Sequence, residues 1–297
     1  MSLPSGVILS NLIDDLRILS WDVADILLFY SERIEQEGIK QDFIKSKKNE
    51  DPVTLADLKV NEIIIERLNQ KYKNINWQIL SEENTKLTSN KCDTNADWVW
   101  IIDPLDGTKD FIQGTGNYAM HLALNYKKTP FIGIVLIPEK DELWISNGNN
   151  TWCERRDGSK VELEISKKTS LKDMILVTSK NHTNQKLRDL ISTIKFQKIK
   201  VMGSIGCKIA SIIRGESDIY ISLSLPNKSS PKDWDFAAPE AILRAAGGEI
   251  TNLDNKKLLY GKSNYEHGGI LIASNSKANH KKICLEIKEI IKKLEIY

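Results

Sequence analysis

Apolar positions recur every three or four residues through Leu9, Leu12, Leu16, Leu19, Val23, Ile26, Tyr30 and Ile34, and the run stops at Gly38. That spacing predicts one long amphipathic helix. Asp51-Pro52 then interrupts the chain, and Val60, Ile63, Ile64, Leu68 and Tyr72 mark the buried side of a second helix beginning near Thr54. Thr54 and Asp57 stand in the positions of a capping box, with Asp in place of the usual Glu. From Trp77 the texture changes. Residues 77–80, 98–102, 118–126, 131–137 and 142–146 read as strands, most of them in a meander, with a polar surface loop over 83–97.

Beyond about residue 170 strands and helices alternate. Strands are predicted at 174–179, 196–201, 218–223, 249–252 and 270–273. Helices are predicted at 184–194, 204–214, 236–246 and from about Ser276. A helix pair and meander followed by alternating elements predicts an α+β half, 1–170, joined to an α/β half, 171–297.

Composition narrows the function classes. With 42 basic and 40 acidic residues in 297, the net charge is only +2. That balance argues against a nucleic-acid polymer or an anionic membrane as partner. Cys92, Cys153, Cys207 and Cys284 form no CxxC pair. No apolar run approaches the ~18 residues of a membrane span, and the start does not read as a secretory signal. A cytoplasmic protein with free thiols is expected. The four histidines are scattered without metal-ligand spacing, which argues against zinc and reads each His as a surface or packing residue.

The chemistry concentrates in Trp98-Val-Trp-Ile-Ile-Asp103-Pro104-Leu105-Asp106-Gly107-Thr108. An apolar strand delivers Asp103 at its carboxyl end, and a tight turn brings Asp106 beside it. Two carboxylates this close repel unless a cation neutralises them. Hard divalent ions take oxygen ligands, to which the Leu105 carbonyl can add. An ordinary Asp-Pro/Asp-Gly turn would use the same residues. Three further acidic positions have equally plain readings: Glu82 and Glu83 as a polar loop start, Asp57 as a helix-capping acid, and Asp235 as an N-cap. The ordered set is the specific signal.

That set resembles the lithium-sensitive, magnesium-dependent phosphatase superfamily of inositol monophosphatases, fructose-1,6-bisphosphatases and bisphosphate nucleotidases. The strongest pieces are Ile102-Asp-Pro-Leu-Asp-Gly-Thr-Lys-Asp-Phe111 and Trp234-Asp-Phe-Ala-Ala-Pro-Glu-Ala-Ile-Leu-Arg-Ala-Ala-Gly-Gly248. The resemblance implies a layered α-β-α-β-α sandwich. It implies Glu82, Asp103, the Leu105 carbonyl, Asp106 and Asp235 as ligands for two or three magnesium ions. Glu82 matches the family ligand, although the residues alone leave Glu83 open. Asp57 and Thr108, with Glu82 beside them, match the groups that activate water, and Gly107 and Thr108 would offer backbone N–H groups to phosphate. Direct in-line hydrolysis is implied, without a covalent enzyme intermediate.

The resemblance implies a small phosphorylated metabolite as substrate. Where inositol monophosphatases carry a sugar-binding glutamate seven residues before the last metal aspartate, this chain has Lys228. The Lys232-x-Trp-Asp235 ending resembles the 3'(2'),5'-bisphosphate nucleotidases, which implies adenosine 3',5'-bisphosphate as substrate. Gly203 and Ser204 open a helix near the expected substrate, and Lys208 and Lys232 are candidate partners for a second phosphate. Inositol monophosphatase-like activity and a catalytically silent nucleotide-binding module are the alternatives. Either a monomer or a homodimer fits the resemblance.

Overall fold

The computed structural model describes residues 3–38, 44–46, 53–87, 92, 94, 96–179, 184–226, 228 and 230–294. The Asp51-Pro52 break lies outside them. The two expected amino-terminal helices form as α1 (Leu9–Glu37), which stops at Gly38 with φ 72°, and α2 (Leu55–Lys71). A two-residue strand precedes α2, with β1 (Ile44–Ser46) paired antiparallel to β2 (Val53–Thr54).

A seven-stranded sheet follows, its strands lying side by side in chain order: β3 (Gln78–Ser81), β4 (Trp98–Asp106), β5 (Ala119–Tyr126), β6 (Thr129–Ile137), β7 (Glu142–Ser146), β8 (Thr151–Glu154) and β9 (Lys160–Val161). β3 and β4 are parallel and the remaining pairs antiparallel. Side chains alternate across a strand. Trp100, Ile102, Leu122, Leu124 and Ile134 therefore pack with Leu12, Leu16, Val60 and Ile64 of α1 and α2. Val99, Ile101, Ala119, Ala123 and Val135 face the opposite way. Both faces are covered, so these strands read as nearly continuous apolar runs.

The second sheet has the order β11-β10-β12-β14-β13, from β10 (Ile175–Ser179), β11 (Lys198–Met202), β12 (Ile219–Ser224), β13 (Glu249–Asn252) and β14 (Gly269–Ser274). β14 runs antiparallel to both neighbours, while β10 is parallel to β11 and β12. Its outer face packs against α5 (Gln185–Ile194) and α8 (Lys277–Lys293). Between the sheets lie α6 (Ile205–Ile213) and α7 (Asp233–Ala245), whose Ile209, Phe236, Ala238 and Ile242 share one core with both. Small residues make this middle layer thin. A Cβ on Gly133 of β6 would lie 2.6 Å from Ala241 Cβ and 2.8 Å from the Ala238 carbonyl. The result is the expected α-β-α-β-α sandwich.

Several local expectations change. The stretch 83–97 does not begin as loop, because residues Glu82–Leu87 form α3, with acids in the first turn and Lys86 in the last, as the helix dipole favours. β4 continues past residue 102 to Asp106. Pro104 has no N–H for the ladder, and the register to β5 shifts between Asp103 and Asp106, a bulge that re-aims the strand end. α7 starts at Asp233 rather than at 236, so Asp235 is not its N-cap. Lys232 holds that position and Asp235 is the third helical residue. β8 and β9 are additional strands.

Candidate active site

Five helix starts converge on the carboxyl end of β4: those of α2, α3, α4 (Thr108–Ile112), α6 and α7. Those of α3, α4, α6 and α7 line a cleft of ≈ 440 Å³ that contains Glu82, Asp103, Leu105, Asp106, Gly107, Thr108, Lys208, Lys232 and Asp235, and α2 adjoins it through Asp57 against Thr108. Partial positive charge at helix amino termini favours anions, whether fixed carboxylates or a bound phosphate.

Asp103, Asp106 and Asp235 each bring a carboxylate oxygen within 4.8 Å of the others. Asp103 is buried, and its Oδ1 accepts the Leu105 N–H at 3.1 Å. One Asp106 oxygen is held by the start of α6, accepting from Ser204 Oγ at 2.6 Å, Ile205 N at 2.5 Å and Gly206 N at 3.3 Å. Asp235 accepts the Lys232 N–H at 2.5 Å. Burial pushes the Asp103 and Asp235 carboxyls well above the usual range, and the negative charge of Glu82 and Asp106 pushes both further. The all-oxygen donor set, its crowding and its uncompensated charge fit hard divalent cations.

Glu82 is the member of its pair that lines the cleft, and its charge adds to burial in raising the Asp103 carboxyl. Glu83 is buried beneath it and bound to Lys86 at 2.9 Å. Lys86 also meets Glu82 at 2.9 Å. Asp57 closes the far side of the site. Its Oδ2 accepts the Thr54 N–H at 2.7 Å and the Thr54 hydroxyl at 2.5 Å, and its Oδ1 lies 3.4 Å from Thr108 Oγ1. Burial, and secondarily Glu83 and Glu82, lift the Asp57 carboxyl to about 7 against the opposing Thr54 bonds. Thr108 donates to the Leu105 carbonyl at 3.1 Å. Gly107 takes φ 89° as the N-cap of α4, and a Cβ there would press to 3.0 Å on the Asn117 carbonyl. Only glycine suits both demands.

The lysines divide. Lys232 lines the cleft with its ammonium 5.3 Å above the Trp234 ring, and Lys228 lies on the same rim. Lys208 is buried. Its ammonium donates to the Gly203 carbonyl and sits 5.4 Å from the Tyr220 ring, and burial lowers its pKa. Gly203 packs so closely that a Cβ would meet Asp110 Oδ2 at 2.4 Å.

His121 was not singled out from sequence. It is buried on β5, opposite Asp103, with Nε2 3.3 Å from Asp106 Oδ2 and Nδ1 3.3 Å from the Trp234 carbonyl. Burial lowers its pKa, against the raising effect of Asp106, and the ring wedges the strand against α7. Gly206 makes room for it, since a Cβ would come to 2.3 Å from Nε2. Tyr220 and Lys86 were missed as well. Tyr220 comes to the cleft through the packing of the second sheet, His121 lies behind it against Asp106, and Lys86 stands one turn after Glu82 on α3. The cysteines are free, as expected, and three are buried. Among the described residues no helix is long and apolar enough to cross a membrane.

Known proteins show the same arrangement at the level of the whole chain. The model of the inositol monophosphatase family matches residues 19–292. A 3'(2'),5'-bisphosphate nucleotidase CysQ of Buchnera aphidicola is 32% identical over 222 residues, covering 74% of this chain and 78% of the relative. The 3'(2'),5'-bisphosphate nucleotidase 1 of Dictyostelium discoideum is 28% identical over 272 residues, covering 78% and 85%. Among solved structures, an IMPase of Thermotoga maritima superposes with a TM-score of 0.72 at 20% identity, covering 95% of this chain and 99% of that one. An IMPase/NADP phosphatase complexed with Mg2+ and phosphate gives 0.71 at 24% identity, with 93% and 95% covered. Layer order, clustered carboxylates and a family match spanning nearly every element agree, and the chain belongs to the inositol monophosphatase family.

Proposed function

We propose that this protein is a magnesium-dependent 3'(2'),5'-bisphosphate nucleotidase that hydrolyses adenosine 3',5'-bisphosphate to AMP and phosphate. The observation that carries the reading is the convergence of Asp103, Asp106 and Asp235 in a cleft whose rim bears Lys228 and Lys232. The nucleotidase relatives support the same substrate.

Asp103, Asp106, Asp235, Glu82 and the Leu105 carbonyl would hold two or three magnesium ions. Bound there, magnesium supplies positive charge that acidifies water and neutralises phosphate oxygens. Asp57 and Thr108, 3.4 Å apart, orient the attacking water, and Asp57 takes its proton. The water oxygen bonds to phosphorus as the bond to the ribose 3'-oxygen breaks, with the electron pair leaving on that oxygen. That oxygen takes a proton from solvent water to become the 3'-hydroxyl of AMP, while Asp57 returns its proton to solvent. Gly107 and Thr108 direct backbone N–H groups toward the phosphate. Lys232, packed over Trp234, and Lys228 provide charge for the second phosphate, where a carboxylate would repel it. Lys208 acts one step back, tying the Gly203-Ser204 turn that holds Asp106.

Steady-state hydrolysis of adenosine 3',5'-bisphosphate and inositol 1-phosphate with Mg2+ tests the assignment. The bisphosphate should win by at least roughly tenfold in kcat/KM, a difference of about 1.4 kcal/mol. A tenfold preference for inositol 1-phosphate would replace the nucleotidase by a sugar phosphatase. No magnesium-dependent phosphate release from either would leave a silent binding module.

A further inference from the structure

The segment joining β13 to β14 does more than connect two strands. Residues 258–268 lie across the first turns of α7 and bind them repeatedly. The Gly261 N–H donates to Asp233 Oδ2 at 2.7 Å, and His267 Nε2 lies 2.8 Å from Asp233 Oδ1. The His267 N–H donates to the Pro231 carbonyl at 2.8 Å, and Lys232 and Glu266 form an antiparallel bridge. Tyr260 donates to Glu240 at 2.6 Å, about two turns beyond Asp233 along the helix. Rings close the interface: Tyr260 and Phe236 sit edge-on to His267 at 5.1 and 5.8 Å, and Trp234 meets Tyr265 at 5.9 Å.

At the centre, Asp233 is 0% exposed and His267 2%. A buried carboxylate needs every oxygen satisfied, and here one partner is the Gly261 amide and the other the imidazole. Removing the imidazole leaves a buried oxygen without its donor. The nearest relief is movement of Asp233 toward water, which turns the start of α7. The consequence falls on its neighbours. Asp235 is two residues on and Lys232 one residue back, and Lys232 contributes no side-chain acceptor to hold the helix start itself. Among the described residues, the hydrogen bond that the Asp235 carboxylate accepts comes from the Lys232 N–H.

We infer that His267 is a positioning residue, clamping Asp233 so that Asp235 points its free oxygen at Asp103 and Asp106. The inference rests on the reading of Asp235 as a cation ligand. Groups that orient ligands from behind typically change metal affinity by 10–100-fold when lost.

Manganese binding to the substrate-free protein, followed by the electron paramagnetic resonance of free Mn2+, reads the effect without catalysis. His267→Leu should weaken Mn2+ binding by roughly tenfold or more. His267→Gln, which can present a nitrogen donor, should recover most of it. Tyr260→Phe cuts the same segment's bond to Glu240 and should lower Tm with Mn2+ affinity unchanged. Should His267→Leu not fold, His267→Ser serves in its place with the same expected loss. Wild-type affinity in the leucine or serine variant, no recovery in the glutamine variant, or an equal loss in Tyr260→Phe each overturns the clamp. Asp235→Asn separates the two levels of the argument. If it binds Mn2+ like wild type, the ligand reading and the clamp fall together; if it binds weakly while the His267 variants do not, only the clamp falls.

Discussion

The starts of α2 and α7 solve one geometric problem twice. Each places an aspartate at the third helical position, Asp57 in one and Asp235 in the other, and each turns one oxygen back to the N–H of its N-cap residue. That backbone bond fixes the carboxylate, with the second oxygen of Asp57 3.4 Å from Thr108 Oγ1 and Asp235 set beside Asp103 and Asp106. The caps themselves differ. Thr54 returns the bond with its hydroxyl and completes a capping box, whereas Lys232 has only donors. α2 is therefore self-capped, and α7 is held from outside by segment 258–268. Helix capping and site chemistry are not competing explanations for these aspartates, because the cap is the means by which each is aimed.

The largest effect should come from removing charge while keeping the cap. Asparagine preserves an acceptor oxygen, so Asp57→Asn and Asp235→Asn should both fold. Both should lose about 10²–10⁴-fold or more in kcat, as expected for a proton acceptor or an electrostatic stabiliser. They should separate in metal dependence. Asp235→Asn should raise the Mg2+ concentration needed for half-maximal rate, and Asp57→Asn should leave it within a few-fold. Equal shifts in both would erase the division between cation-binding and water-orienting aspartates.

Stability against pH sharpens the electrostatic side. Burial lifts Asp57 from 3.8 to about 7, so its folded pKa exceeds its unfolded one. Its contribution is complete below about 3.8 and is lost as pH rises through about 7, because the folded state must then release a proton it holds more tightly. His280 runs the other way. Buried between Thr251 and Ser274, each 2.7 Å from a ring nitrogen, it falls from 6.5 to about 4, and its contribution is lost as pH drops between those values. Thermal melts in EDTA should show Asp57→Asn relatively more stable than wild type at pH 8 than at pH 5. His280→Asn should flatten the acid limb instead. A single slope change shared by both variants would show that neither group titrates on its own.

How much of this could be read beforehand depends on distance along the chain. Asp103 and Asp106 lie three apart on one strand end, and the capping box of α2 spans four residues, so local pattern revealed both. α7 was expected three residues late because Asp233 and Asp235 interrupt the apolar period at its first turn. β8 and β9 were missed because they are short and carry Thr151, Glu154 and Lys160 among few apolar residues. His121 reaches Asp106 only through the pairing of β4 with β5, and His267 reaches Asp233 across 34 residues. Nothing near either histidine in the chain marks its partner. The layered fold followed from the family motifs, while the clamp and the wedge required the packed sheets.

The smallest expected effect tests the caps directly. Thr54→Ala removes a hydroxyl that accepts the N–H groups of Ala56 and Asp57 and donates to Asp57 Oδ2. Loss of such a cap costs about 1 kcal/mol. Denaturant unfolding should register that loss in the midpoint with m unchanged. The same variant frees Asp57 on one side, so kcat should fall by less than in Asp57→Asn. Lys232→Ala removes no capping acceptor, and its unfolding free energy should fall by no more than about 0.5 kcal/mol, the scale of its cation–π contact with Trp234. A cost at Lys232 equal to that at Thr54 would mean that α7 relies on its own N-cap side chain after all. The contrast between a self-capped helix and one held from outside would then be lost.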